Sequence, residues 1–137
     1  MNTWHALTIP SVTESIRDVE DAVAEALEEA EFTENDVFAV RLALDEALVN
    51  AIRHGNRYDA KKRVSVKYKV ENDGITIVVA DEGRGFDYED QPDPTSPDRL
   101  ELPSGRGLLL MRSYMDRITF NRRGNEVTMV KGRGREQ

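Results

Sequence analysis

The hydrophobic residues of the chain recur with two different spacings, and these spacings predict its secondary structure. Between residues 14 and 30, apolar side chains return every three or four positions, which is typical of an amphipathic helix. A second stripe of this kind follows Thr33 and ends near Gly55. Residues 64–70 instead alternate apolar and polar side chains, as in a strand with one wet face. Residues 75–80 are almost continuously apolar, which favours a central strand.

The remaining segments complete the order of elements. Residues 4–9 predict a first strand that ends at a proline, residues 108–115 predict a third helix, and residues 117–121 and 126–131 predict a closing hairpin. The resulting order is β-α-α-β-β-loop-α-β-β. It predicts an α/β fold in which a mostly antiparallel mixed sheet carries three helices on one face, as a two-layer sandwich.

Short polar motifs predict where the first two helices begin and end. Ser11 and Glu14 have the spacing of a capping box, in which two side chains satisfy free backbone N–H groups at a helix start. Thr33 and the acids at 34–36 predict the start of the second helix, because negative charge is favourable at the positive end of the helix dipole. The run His54-Gly55-Asn56 predicts its end.

The segment 86–104 predicts a long loop. It holds four of the five prolines and six acidic residues, so a regular helix or strand cannot run through it. A loop of this length in a compact domain is usually a lid or a binding loop. We expect a single domain over residues 1–137, with the lid at about 86–104.

Charge and composition exclude several classes of function. The chain has 19 basic and 26 acidic residues and a net charge of -7, which argues against direct nucleic-acid binding through a basic surface. No apolar run approaches the ~20 residues that a membrane span needs, and the first residues lack the features of a signal peptide. The absence of cysteine excludes disulfides and fits a reducing compartment, so we expect a cytoplasmic protein without a membrane partner.

The second helix carries a pair of polar residues that suits a magnesium–nucleotide site. Glu46 and Asn50 are four positions apart, so they project from the same face. An amide oxygen can bind the cation, and a carboxylate can accept a proton from a nucleophile. Taken alone, this spacing is common on helix surfaces.

Two glycine motifs add to this pair. Asp81 follows the buried strand directly, where its carboxylate can accept a hydrogen bond from an exocyclic amine, and Gly83 and Gly85 let the backbone lie flat against a ring. In isolation the same residues also fit a simple turn.

A second glycine motif opens the third helix. Gly105, Arg106, Gly107 and Leu108 lie where free N–H groups and the helix dipole favour phosphate. A capped helix start explains such a motif equally well when it stands alone.

Together, and in this order, the three motifs resemble the N box and the two glycine boxes of the Bergerat-fold (GHKL) ATPases. Within that superfamily the chain is most similar to the anti-sigma-factor serine/threonine kinases of bacteria, on the phrases at 45–56, 81–87, 103–108 and 111–116. This resemblance covers nearly the whole chain.

The resemblance implies a role for each matching residue. Glu46 would be the general base, Asn50 would ligate Mg²⁺ bridging the phosphates of ATP, and Asp81 would bind the adenine amino group. Many relatives have a threonine where this chain has Asn125, and we expect the asparagine to take over its contact to adenine. The remaining nucleotide-binding residues implied are Gly83, Gly85, Gly105, Arg106, Gly107 and Leu108.

The function implied is transfer of the γ-phosphoryl group of ATP to a serine or threonine of a STAS-type anti-sigma-factor antagonist. The same protein, as a homodimer, would sequester a sigma factor. Three alternatives stay open at this point: an ATP-binding module without catalysis, a histidine-kinase-like catalytic domain, and an ATPase that activates water.

Overall fold

The computed structural model describes residues 3–83 and 111–134 of the 137-residue chain. This part contains two complete helices, five strands, two shorter helical turns and the helical residues 111–114. The strands are β1 (His5–Pro10), β2 (Arg63–Glu71), β3 (Gly74–Ala80), β4 (Arg117–Phe120) and β5 (Glu126–Gly132). The helices are α1 (Ile16–Glu29), which follows a 3-10 turn at Thr13–Ser15, and α2 (Glu34–Asn50), which continues into a π-helical turn at Ala51–Gly55.

The five strands form one sheet in the order β1-β2-β3-β5-β4, and every pairing between them is antiparallel. The central position of β3 confirms the prediction from its apolar run. The last residues of β1 and β3 and the first residues of β2 lie at the same end of the sheet, because Pro10 pairs with Arg63 and Ser65 pairs with Ala80. The turn between β4 and β5 lies at this end too, because Ala80 also pairs with Glu126.

A single hydrophobic core lies between the sheet and the two helices. The alternating residues of β2 and β3 bury one set of side chains against the stripes of α1 and α2. Burying each such side chain fully contributes about 1.5–3 kcal/mol. The largest fully buried members are Val19, Val23, Leu27, Val40, Leu44, Leu48, Ile52, Val64, Ile75, Ile77, Met111 and Met129. The predicted two-layer α/β sandwich is therefore confirmed.

The predicted lid and the first three residues of the third predicted helix lie outside the described residues. Residues 111–114 are helical and bring Met111 into the core. Residues 108–110 and the loop at 86–104 belong to the part that the structure does not describe. Among residues 3–83 and 111–134, no helix has both the length and the apolar character of a membrane span.

The predicted capping box at the start of α1 is wrong. No side chain caps the 3-10 turn or the first turn of α1. The Ser11 hydroxyl instead donates to the carbonyl oxygen of Lys62, 2.8 Å away, and accepts from the amide of Asn56. The local spacing suits a cap, but the Ser11 hydroxyl instead accepts its hydrogen bond from Asn56, which lies 45 residues along the chain.

The predicted start of α2 is confirmed. The Thr33 hydroxyl caps the helix by accepting from the backbone N–H of Asp36 at 3.1 Å. Asp36 itself is buried, and its carboxylate accepts from the backbone N–H of Gly134 at 2.8 Å and lies 3.6 Å from the Lys131 ammonium. The C-terminal end of the described chain is thus fixed to the start of α2.

Two carboxyl groups meet between α1 and α2. Glu20 on α1 is hydrogen-bonded to Asp45 on α2, and its side chain is only 13% exposed. Burial raises the pKa of Glu20 from 4.5 to about 8, and the bond to Asp45 and the charges of Asp45 and Asp21 add to the rise. Arg41, 3.8 Å from Glu20, opposes it. With its pKa raised this far, Glu20 is mostly protonated at neutral pH.

This proton makes the stability of the fold depend on pH. Because the pKa of Glu20 is higher in the folded chain, its contribution is fully present below about pH 4.5 and is lost as the pH rises toward 8. We expect the free energy of unfolding to fall by about 1 kcal/mol or more between about pH 5 and pH 8, since one unit of pKa shift corresponds to about 1.4 kcal/mol. Glu20→Gln keeps the hydrogen bond without titrating and should lose this part of the pH dependence. Denaturant unfolding at both pH values measures the difference, and equal pH dependence in the two proteins would contradict it.

Candidate functional site

Glu46 and Asn50 lie on one face of α2, as their spacing predicts. Both are half-buried, and Asn50 is the last residue of the regular helix. The side-chain nitrogen of Asn50 is buried and has no hydrogen-bond partner among the described residues. A buried amide without a partner costs about 1–3 kcal/mol, so a ligand that satisfied this group would recover that cost.

A change of helical geometry directly after Asn50 carries the chain to the end of β3. Residues Ala51–Gly55 form a π-helical turn, in which the N–H of Asn56 donates to the carbonyl oxygen of Ala51 at 2.8 Å. Such turns are rare and occur frequently at functional sites. Gly55 lies five residues beyond Asn50, which corresponds to about 8 Å along a helix axis.

Gly55 packs against Asp81 so closely that it has no room for a side chain. A β-carbon built on Gly55 would overlap the carboxylate of Asp81. In turn, a β-carbon on Gly83 would overlap the carbonyl oxygen of Gly55. The end of the helix that carries Glu46 and Asn50 is therefore in direct contact with the Asp81–Gly83 turn.

Asp81 is held by backbone contacts and partly removed from water. Its N–H donates to the carbonyl oxygen of Asn125 at 2.9 Å, and its carboxylate accepts from the N–H of Gly83 at 2.8 Å. Burial raises the pKa of Asp81 to about 6, although the Gly83 hydrogen bond and the charges of Lys62 and Arg123 act in the opposite direction. A carboxylate in this setting is a strong hydrogen-bond acceptor, because little water competes for it.

Asn125 lies beside Asp81, in the turn between β4 and β5. Its side-chain oxygen accepts from the Asn121 amide at 2.7 Å, and its N–H donates to the Asn121 side-chain oxygen at 3.1 Å. These two bonds fix the turn whose carbonyl oxygen holds Asp81.

The structure thus brings together the described members of the predicted site, Asp81, Gly83 and Asn125, and joins them to the helix of Glu46 and Asn50. The other predicted residues lie outside the described part of the chain; they are Gly85, Gly105, Arg106, Gly107 and Leu108.

Two residues of the site were not predicted to take part in it. The sequence assigns Gly55 and Asn56 only to a helix end, where a glycine ordinarily serves to form a left-handed turn. The left-handed residues after the helix are Arg57 and Tyr58, with φ of 51° and 60°, so Gly55 is not needed for a left-handed turn. A glycine that ends a helix without a positive φ is a signal for close packing, but that signal requires the structure.

The residues present fit a magnesium ion that is held mainly by a nucleotide. Within residues 3–83 and 111–134, no three His, Asp or Glu side chains are placed to hold a metal ion. Mg²⁺ commonly binds through one or two protein ligands plus the phosphates of its substrate. The side-chain oxygen of Asn50 is the kind of single ligand that Mg²⁺ takes, whereas its nitrogen, which has no partner among the described residues, is a donor suited to a phosphate oxygen.

Comparisons with known proteins show which family the chain belongs to. Residues 9–131 match the family described as the histidine kinase-like ATPase domain. The serine-protein kinase RsbW of Bacillus licheniformis is 34% identical over 114 residues, which cover 77% of this chain and 71% of that protein. RsbW of Bacillus subtilis is 32% identical over 108 residues, covering 73% and 67%. The chain belongs to the RsbW family of histidine kinase-like ATPases.

Further RsbW relatives extend the match over nearly the whole chain. RsbW of Staphylococcus aureus (strain bovine RF122 / ET3-1) is 28% identical over 141 residues, covering 96% of this chain and 87% of that protein. A crystal structure of the RsbU and RsbW domains of Rv1364c from Mycobacterium tuberculosis superposes with a TM-score of 0.65 at 17% identity. This chain covers 32% of that longer one and matches it over 96% of its own length, which supports the fold. The resemblance that the motifs indicated is confirmed.

Replacing Gly55 tests whether its contact with Asp81 shapes a nucleotide site in this RsbW-family chain. In Gly55→Ala the new methyl group overlaps the Asp81 carboxylate, so the carboxylate must move from its present position. We expect ATP to bind at least about tenfold more weakly, and the strain to cost about 1–3 kcal/mol of stability. Calorimetric titration and thermal unfolding measure the two effects. Gly132→Ala is the control, because its β-carbon would meet the Asp116 carboxylate at 3.0 Å and the Asp73 carbonyl oxygen at an ordinary 3.8 Å, both away from Asp81. ATP binding that is equal in the two variants would contradict the assignment.

The pH dependence of ATP binding tests Asp81 itself. With a pKa of about 6 in the free protein, the carboxyl group is mostly ionised at about pH 7.5 and mostly protonated at about pH 5. Because only the carboxylate accepts from an amine with full strength, we expect ATP affinity to fall about tenfold over this range. Asp81→Asn does not titrate and is the reference for the changes in ATP and other groups. An identical pH profile for both proteins would exclude Asp81 as the acceptor.

Proposed function

We propose that this chain is a protein serine/threonine kinase that uses ATP and Mg²⁺. The observation that carries the proposal is the contact of Gly55 with Asp81, which joins the helix of Glu46 and Asn50 to a half-buried carboxylate suited to adenine. The names of the RsbW relatives, all serine-protein kinases, support the same activity.

In the proposed reaction, the oxygen of a serine or threonine hydroxyl attacks the γ-phosphorus of ATP. The bond between that phosphorus and the β–γ bridging oxygen breaks, ADP leaves, and the hydroxyl proton passes to the Glu46 carboxylate. Asp81 binds the adenine amino group, and Asn50 supplies an amide oxygen to the cation. Mg²⁺, when bound, neutralises negative charge on the phosphates; most of the remaining catalysis is positioning.

We further propose the partners that the family resemblance implies. The phosphorylated protein is a STAS-type anti-sigma-factor antagonist, and the chain, as a homodimer in the cytoplasm, sequesters a sigma factor when it is not bound to that antagonist. Residues 85 and 105–108, together with Asn125, complete the nucleotide site in this proposal.

Transfer of label from γ-labelled ATP to small STAS-domain proteins of the same genome tests the activity. We expect acid-stable label on serine or threonine. Acid-labile label on histidine would instead indicate a histidine-kinase-like domain, and release of free phosphate alone would indicate an ATPase. Binding of ATP without any transfer would leave a non-catalytic module.

A pair of variants separates catalysis from binding. Glu46→Gln removes the proton acceptor but keeps the shape of the side chain, so phosphorylation should fall by about 10²–10⁴-fold while ATP still binds. Asn50→Ala should weaken Mg²⁺-dependent ATP binding itself, because it removes the proposed ligand. Single-turnover phosphorylation and calorimetric titration measure the two quantities. Full activity in Glu46→Gln, or unchanged ATP affinity in Asn50→Ala, would disprove the corresponding role.

A further inference from the structure

The buried side-chain amide of Asn56 connects three segments of the chain at the end of the sheet where Asp81 lies. Asn56 is 1% exposed. Its nitrogen donates both hydrogens, to the Ser11 hydroxyl at 2.8 Å and to the carbonyl oxygen of Arg63 at 3.0 Å. Its oxygen accepts from the N–H of Glu82 at 2.8 Å. Each donor and acceptor atom of this side chain therefore has a partner on a different segment.

Ser11 extends the network and fixes its orientation. It is fully buried, and its hydroxyl accepts from Asn56 while it donates to the carbonyl oxygen of Lys62 at 2.8 Å. Because neither atom of the pair faces water, a change at either residue leaves buried groups without partners. Networks of this kind hold their members in one arrangement when every group is satisfied.

The network holds the backbone segment that carries Asp81. Three consecutive N–H groups are held there: that of Asp81 by Asn125, that of Glu82 by Asn56, and that of Gly83 by the Asp81 carboxylate. The Glu82 carboxylate in turn accepts from the N–H of Arg63. Of the three bonds, only the one to Asn56 comes from a side chain of another segment.

Asn56 is also next to Gly55, the second partner in the contact with Asp81. It directly follows Gly55, against which the Asp81 carboxylate packs. The same residue thus holds the turn that carries the carboxylate and continues the backbone that the carboxylate touches. Removing its side chain would free both parts at once.

We infer that Asn56 is a positioning residue for base selection: by holding Glu82 it aims the Asp81 carboxylate, and so it sets the preference for purines with an exocyclic amino group. This inference rests on the proposed function. A hydrogen bond depends steeply on angle. In the proposed function the phosphates are bound through Mg²⁺ at Asn50 and by residues 105–108, none of which belongs to this turn. Loosening the turn should therefore weaken binding of the base and spare binding of the triphosphate.

The test compares ATP with purine riboside triphosphate, which lacks the amino group, in the presence of Mg²⁺. We expect the wild-type chain to prefer ATP, since a site built to bind an amino group rejects an analogue without it. In Asn56→Ala this preference should fall about tenfold, almost entirely through weaker ATP binding. Ser11→Ala, which keeps the bonds of Asn56 to Glu82 and Arg63, should lower it about threefold, and this variant decides the question if Asn56→Ala does not fold.

Asp36→Ala is the matched control. Asp36 is also a buried hydrogen-bonded residue, 3% exposed, but it lies at the opposite end of α2 and holds Gly134. The Asp36→Ala variant should be less stable than the wild-type chain but should keep the same preference for ATP. If Asn56→Ala or Ser11→Ala weakens both nucleotides equally, as a purely structural role requires, the inference is wrong.

Asp81→Ala separates failure of the inference from failure of the proposed function. If Asp81→Ala abolishes the preference and Asn56→Ala retains it, the nucleotide site stands and only the role of Asn56 is disproved. If the wild-type chain does not prefer ATP, or Asp81→Ala keeps the preference, then the proposed adenine site is wrong and the inference falls with it.

Discussion

The contact between Gly55 and Asp81 is the constraint on which the rest of the site depends. A β-carbon on Gly55 would overlap the Asp81 carboxylate, and a β-carbon on Gly83 would overlap the carbonyl oxygen of Gly55, so the end of α2 lies directly against the turn that follows β3. Side chains can change their rotamers, but two backbones in contact cannot move apart without disturbing the elements that carry them. The helix bearing Glu46 is therefore held in register with the central strand of the sheet.

Burial on one side explains why the elements were predictable. The stripes of α1 and α2 and the apolar run of β3 each mark a face that packs on the core, and Thr33 caps α2 by a bond that spans three residues. Ser11 has an equally suitable local spacing, yet its hydroxyl binds Asn56, which is distant in sequence. Spacing rules describe local bonds only, so a tertiary partner that replaces one of them is not visible in the sequence.

The candidate site was predictable in its residue types and not in its electrostatics. A short acid after a buried strand identified Asp81, and the helical spacing paired Glu46 with Asn50. The raised pKa of Asp81 depends on how much water the Gly55 contact removes, and that requires coordinates. The same holds for Glu20: its pKa is raised because the packing of α1 on α2 buries it beside Asp45, one of twelve acids at 14–46.

The π-helical turn at Ala51–Gly55 makes chain length, rather than residue type, the sensitive variable in this region. Successive residues of an α-helix are rotated by about 100°, so an insertion or a deletion inside the turn would rotate everything after it by about that angle. Gly55 would then face away from the sheet, and a different residue would meet the strand end. A substitution in this turn changes one side chain, whereas a change of length by one residue would remove the contact between the end of the helix and the Asp81–Gly83 turn.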